Sequence, residues 1–168
     1  SKEEIDNISD LLKSNVKSVK IRLFSGDSAS EHAFKKETSD ANILHISTHG
    51  FFNEDKQHKF NNPMHNSGLF FANANKAWKT DSQQEVYSEH YEDGILRADE
   101  IETQNLALCN LVVLSACETG LGEIKGDEGV FGLQRAFKLA GVRYVLMSLW
   151  SVPDCATKEL MTRFYKNI

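Results

Sequence analysis

Two segments of this 168-residue sequence carry side chains able to do covalent chemistry, Ser47-Thr48-His49-Gly50 and Ala116-Cys117-Glu118. A thiolate is the nucleophile of acyl transfer, and a neighbouring imidazolium favours it over the thiol. Gly50 has no side chain, so its N–H can face a bound carbonyl and form an oxyanion hole with the amide of Cys117. Residue type alone leaves the pair open, because buried cysteine often serves as a small hydrophobe and most histidines are structural.

Both segments end apolar runs. Ile43-Leu44-His45-Ile46-Ser47-Thr48 and Leu111-Val112-Val113-Leu114-Ser115-Ala116 read as buried strands, and Tyr144 to Trp150 reads as another. Ligands of open parallel α/β sheets bind beyond the carboxyl ends of the strands, where His49 and Cys117 fall. Around these strands the apolar period becomes helical. Ile5, Ile8, Leu12 and Val16 predict a first helix, after which Ile21, Leu23 and Phe24 run into Ser25-Gly26 as a strand and turn. Ser28 followed by Glu31 predicts a capping box opening a helix over 28–38. A helix from Glu128 to Ala140 buries Val130, Leu133, Phe137 and Ala140, with Asp127 as its N-cap and Gly141 as its left-handed stop. Pro153 suits the first turn of a last helix with Leu160 and Phe164 on one side. Alternating strands and helices imply an α/β layer structure around a mostly parallel sheet.

The length fits one domain, and a 40% apolar content excludes disorder. No apolar run approaches the roughly 18 residues of a spanning helix, and no secretory signal opens the chain, so a cytoplasmic protein without membrane partners is expected. A net charge of −5 argues against direct nucleic-acid binding. Three scattered cysteines, Cys109, Cys117 and Cys155, fit neither a disulfide framework nor a metal knuckle. Residues 53–94 form a polar insertion with short strands expected at Leu69-Phe70-Phe71 and Ile95-Leu96, and a loop of this length suits a specificity surface.

The blocks Ile43–Gly50, Leu111–Gly120 and Ser148-Leu149-Trp150-Ser151-Val152-Pro153-Asp154, with Gly126–Gly141 between the last two, resemble the CHAT family. CHAT domains are caspase-like, separase-related cysteine peptidases often found after tetratricopeptide repeats. The resemblance covers most of the chain. It implies a caspase–haemoglobinase-like three-layer α/β/α sandwich, His49 and Cys117 as a catalytic dyad, Gly50 and Cys117 as oxyanion amides, and no metal or organic cofactor. It also implies a specific protein substrate, regulation by an N-terminal repeat region, and a part in bacterial defence or programmed cell death. The family continues with further helix and strand where this sequence stops, so residues 1–168 are expected to be a domain excised from a larger protein and lacking its C-terminal end.

Several positions keep two readings. Asp154 either lines the pocket for the residue before the cleaved bond or caps the last helix beside Pro153. Trp150 and Ser151 follow a strand along which an extended substrate could pair, although a tryptophan there is more often core. Glu118 either polarises the site or is a solvated loop charge. His45 shares strand parity with His49, but four residues of strand set them about 13 Å apart, which argues against a shared zinc; His45 reads either as a buried core or supporting histidine or as a titrating proton carrier or pH-sensing group, the first being preferred. Gly120 to Gly126 lacks the Gly-Lys-Ser/Thr ending of a P-loop, which excludes a nucleotide site. The alternative to a peptidase is a catalytically silent caspase-like module that binds peptides or proteins.

Overall fold

The computed structural model describes residues 2–52, 63–75, 92–115, 128–148 and 152–167. Its centre is a parallel sheet of β1 (Ile43–Ile46), β5 (Leu111–Leu114) and β6 (Tyr144–Met147), in the spatial order β1-β5-β6. Three short strands, β2 (Gly50–Phe52), β3 (Ser67–Phe70) and β4 (Ile95–Arg97), form a second, antiparallel sheet in chain order. The helices are α1 (Lys2–Asn15), α2 (Glu31–Glu37), α3 (Ala98–Glu102), α4 (Glu128–Leu139) and α5 (Asp154–Lys166). Parallel strands need crossovers, and the segments joining β1 to β5 and β5 to β6 contain the helices that cover one face.

Alternation along the strands divides the core in two. Leu44, Ile46, Val112, Leu114, Val145 and Met147 face α4 and the second sheet, joining Leu133, Ala136, Phe137, Leu69 and Leu96. Leu111, Val113 and Leu146 point the other way, against Ile8, Leu11 and Leu12 of α1 and Met161, Phe164 and Tyr165 of α5. Helices on both faces of a mostly parallel sheet make the α/β/α sandwich expected from the sequence.

Local chemistry sets the boundaries. Helix α4 ends in a Schellman motif, in which Val142 N–H donates to Phe137 O at 3.0 Å and Gly141 N–H to Lys138 O at 3.1 Å. Gly141 has φ +102°, and a Cβ there would come within 3.1 Å of the Ala107 backbone, so both torsion and space require glycine. Leu133, Phe137 and Ala140 are buried as expected, while the side chain of Val130, and Asp127, lie outside the described residues. The insertion contributes β3 to the second sheet, and β4 follows at its end, close to the expected positions. Its neck is clasped by Glu31, whose buried carboxylate accepts Gly94 N–H at 2.9 Å and pairs with Lys35. Lys35 also reaches Glu100 at 2.9 Å.

Five expectations are corrected. Residues 21–24 form no strand; Leu23 and Phe24 are exposed, and Arg22 fixes the run at the surface through Glu37 and Asp40 rather than through a backbone ladder. The cap of α2 is Ser30, whose hydroxyl accepts Ala33 N–H at 3.1 Å, because Ser28 is engaged with the backbone of Ser25 in a separate turn. Helix α1 stops at Asn15 and leaves Val16 exposed. Leu160 on α5 is 60% exposed, since Met161 and Tyr165 form the face that meets α1 and the sheet. Strands β1 and β5 end at Ile46 and Leu114, two residues before the apolar patterns stop.

Replacing Gly141→Ala is expected to destabilise the fold by about 1–3 kcal/mol through the forced left-handed torsion. Urea denaturation checks this, and an unchanged midpoint would contradict the assignment.

Candidate active site

The pairing of β1 with β5 puts Ile43 opposite Leu111 and Ile46 opposite Leu114. One further bond continues the pattern, Ser115 N–H to Ile46 O at 2.9 Å. The two chains therefore leave the sheet side by side at the same carboxyl edge. His49 lies three residues beyond Ile46 and Cys117 three residues beyond Leu114. Cys117 and Glu118, the Gly120–Gly126 stretch, and Trp150 and Ser151 lie outside the described residues.

The main chain at His49 is held from the second sheet. Its carbonyl accepts Phe70 N–H at 2.9 Å, and the Thr48 hydroxyl donates to the Phe70 carbonyl. This turn ends the strand parity between His45 and His49. The His49 side chain is exposed at the edge, whereas Gly50 is buried at the start of β2. Gly50 pairs with Leu69 in the antiparallel ladder. Since the preceding pair, His49 with Phe70, is the hydrogen-bonded one, alternation turns the Gly50 N–H away from β3. An oxyanion donor needs that orientation.

The other two cysteines carry free thiols. Cys109 is buried, with its Sγ 3.3 Å from Leu111 O, and burial pushes its thiol up from the ordinary value. Cys155 is exposed near the start of α5. The backbone of Asp154 opens that helix, but the N-cap is Pro153, one residue earlier than expected. The Pro153 carbonyl accepts Ala156 N–H at 3.0 Å and Thr157 N–H at 3.1 Å. Asp154 therefore does not occupy the N-cap, and its first-turn position is one where the helix dipole favours a carboxylate.

His45 belongs to a buried polar cluster on the α1/α5 face of the sheet. Its Nδ1 is 3.1 Å from the Tyr165 hydroxyl and its Nε2 is 3.1 Å from Glu4 Oε1. Ser47 Oγ donates to the other carboxylate oxygen, Glu4 Oε2, at 3.0 Å. Glu4 is only 4% exposed. Burial alone would raise its pKa, but hydrogen bonding led by His45 outweighs that and brings the carboxyl down to about 2. Burial, and then the Glu4 charge, push the Tyr165 hydroxyl well above its ordinary value. Sequence reading found His45 but not Glu4, since a glutamate in the first turn of an amphipathic helix has the pattern of a solvated charge.

A family model described as CHAT domain matches residues 1–168. Among curated proteins, the chain is similar to Tetratricopeptide repeat protein 28 of Mus musculus and of Homo sapiens, at 41% identity over 58 residues in each case. That stretch is 34% of this chain and 2% of each relative. No solved structure matches the chain significantly. Among the described residues, no helix is long and apolar enough to cross a membrane.

The lowered Glu4 pKa links the cluster to acid stability. Its contribution is complete above the ordinary value of 4.5 and is lost as pH falls towards about 2. Glu4→Gln is therefore expected to remove on the order of 2 kcal/mol of stability at neutral pH and to flatten the loss between pH 4.5 and 2. Denaturant unfolding at a series of pH values measures both, and parallel pH profiles for the two proteins would contradict it.

Proposed function

The chain belongs to the CHAT-domain family, which is related to caspase-like cysteine peptidases, and on that premise we propose that it is a cysteine endopeptidase. The observation that carries this reading is the β1–β5 register, from whose paired ends Ile46 and Leu114 the His49 and Cys117 segments depart at equal distance. A His-Cys pair on adjoining strand ends suits acyl transfer, because the nucleophile and its proton partner are delivered by the same rigid ladder.

The Cys117 thiolate attacks the scissile carbonyl, and the carbonyl π electrons move onto oxygen to give a tetrahedral oxyanion. The amides of Gly50 and Cys117 receive that charge. As the tetrahedral species collapses, the C–N bond breaks and the His49 imidazolium protonates the departing amine, leaving a thioester on Cys117. His49 then accepts a proton from water as the water oxygen attacks the thioester, and the thiolate leaves from the second tetrahedral species. The products are an amine, a carboxylic acid and the original thiolate–imidazolium pair.

The substrate is a specific protein, held as an extended segment along the rim by Trp150 and Ser151, with Asp154 and Glu118 as the acidic groups near the cleaved bond. Asp154 faces a basic residue before the cut in this reading. Residues 1–168 act as one peptidase domain, the 53–94 insertion serving as its specificity surface. The matched relatives' names support a neighbouring tetratricopeptide-repeat region as regulator. Three scattered cysteines suit the reducing cytoplasm.

Cys117→Ala should abolish cleavage of the native substrate while the circular dichroism of the fold is retained. His49→Ala should reduce kcat/KM by roughly 10³-fold or more, and the double variant little further, because the pair acts as a unit. Turnover retained in folded Cys117→Ala would overturn the assignment and favour a binding module.

A further inference from the structure

We propose that Glu4 is a positioning residue for His49, its carboxylate acting as a clamp on the carboxyl end of β1. The proposal rests on the peptidase reading and adds to it a residue from an element that carries no dyad motif.

The geometry is specific. Glu4 Oε2 accepts from Ser47, two residues before His49, and Glu4 Oε1 lies 3.1 Å from Nε2 of His45, four residues before it. One buried charge thus engages the chain at two points just upstream of His49. Ser47 follows the last residue of β1, Ile46, whose carbonyl takes the final ladder bond from Ser115 N–H, and beyond it the backbone needs another restraint. Side-chain bonds to an ionised, desolvated carboxylate are stronger than neutral ones and fix direction as well as distance.

The clamp is itself braced. Tyr165 of α5 holds the second ring nitrogen of His45 at 3.1 Å, its ring lying edge-on to the imidazole at 5.5 Å. Helix α1 is tied to α5 by Lys158 and Glu3 and by the apolar contacts of Ile8, Leu12 and Met161. The carboxylate therefore belongs to a packed helix layer rather than to a free side chain. A displacement of about 1 Å at a reacting pair can cost on the order of 10²-fold in rate, so restraint at these two points bears directly on the dyad.

The test is the second-order rate of Cys117 alkylation by iodoacetamide across a pH series, read by peptide mapping in the intact protein. Wild type is compared with Glu4→Gln, Ser47→Ala, Ile8→Val and His49→Ala. Glu4→Gln and Ser47→Ala are each expected to slow alkylation at neutral pH by about tenfold and to move the profile towards that of His49→Ala. Ile8→Val trims the same helix layer without touching the clamp, and its profile should match wild type. Ser47→Ala removes a single hydroxyl and carries the test if Glu4→Gln does not fold. Wild-type profiles in the folded clamp variants would overturn the proposal. A wild-type profile already coincident with that of His49→Ala would instead remove the dyad, and the clamp with it.

Discussion

The parallel pairing of β1 with β5 is the constraint on which the rest of the molecule depends. Its register aligns two chain exits that are far apart in sequence, from Ile46 and Leu114. It also makes β5 the middle strand, which lets Val112 and Val113 pack fully buried on opposite faces. A one-residue slip would exchange those faces and send Ser47 and the ring of His45 into the apolar layer beneath α4. Burial on both sides specifies the register, and the register specifies which chemistry meets at the edge.

The two faces of that sheet have different compositions. The α4 face is closed by aliphatic and aromatic side chains from Leu44 to Phe137. The α1/α5 face is apolar around Val113 but becomes polar towards the carboxyl edge, where Glu4, His45, Ser47 and Tyr165 form one hydrogen-bonded group. A buried polar group of this kind is costly if any member is left unsatisfied. Its place at the exit of β1 gives a functional reason for keeping it. The second sheet contributes from the opposite direction, with the Phe70 backbone holding the Thr48 hydroxyl and the His49 carbonyl. His49 is thus restrained from a strand that itself comes from the polar insertion.

Much of this architecture is legible in the sequence because its strongest elements are locally consistent. The β-branched runs of β1 and β5, the helical period of α4 and its Gly141 stop each name one structure. Strand β2 and helix α3 are too short to display a period, and β3 and β4 are marked only by short apolar runs. Ile21 to Phe24 has strand composition, but composition supplies no partner, and Arg22 binds acidic groups at the surface instead. Ser28 and Ser30 both stand near the start of α2, and only the competing turn at Ser25 decides between them. At the site, residue type and strand end single out His49, Gly50 and Cys117 as candidates and the family resemblance supplies their roles, while Cys117, Glu118, Trp150 and Ser151 lie outside the described residues. Glu4 was not legible, because its partners are distant in sequence and a helix heptad does not reveal which sheet atoms it will meet.

The most direct test of a dyad delivered by adjoining strand ends is covalent labelling with a peptidyl acyloxymethyl ketone, followed by intact mass and peptide mapping. The reagent needs an activated thiolate but no knowledge of the native substrate. A single adduct at Cys117 that is lost in a folded His49→Ala variant is the predicted result. Absence of an adduct at Cys117 in the folded protein, or equal labelling in the variant, would contradict the account.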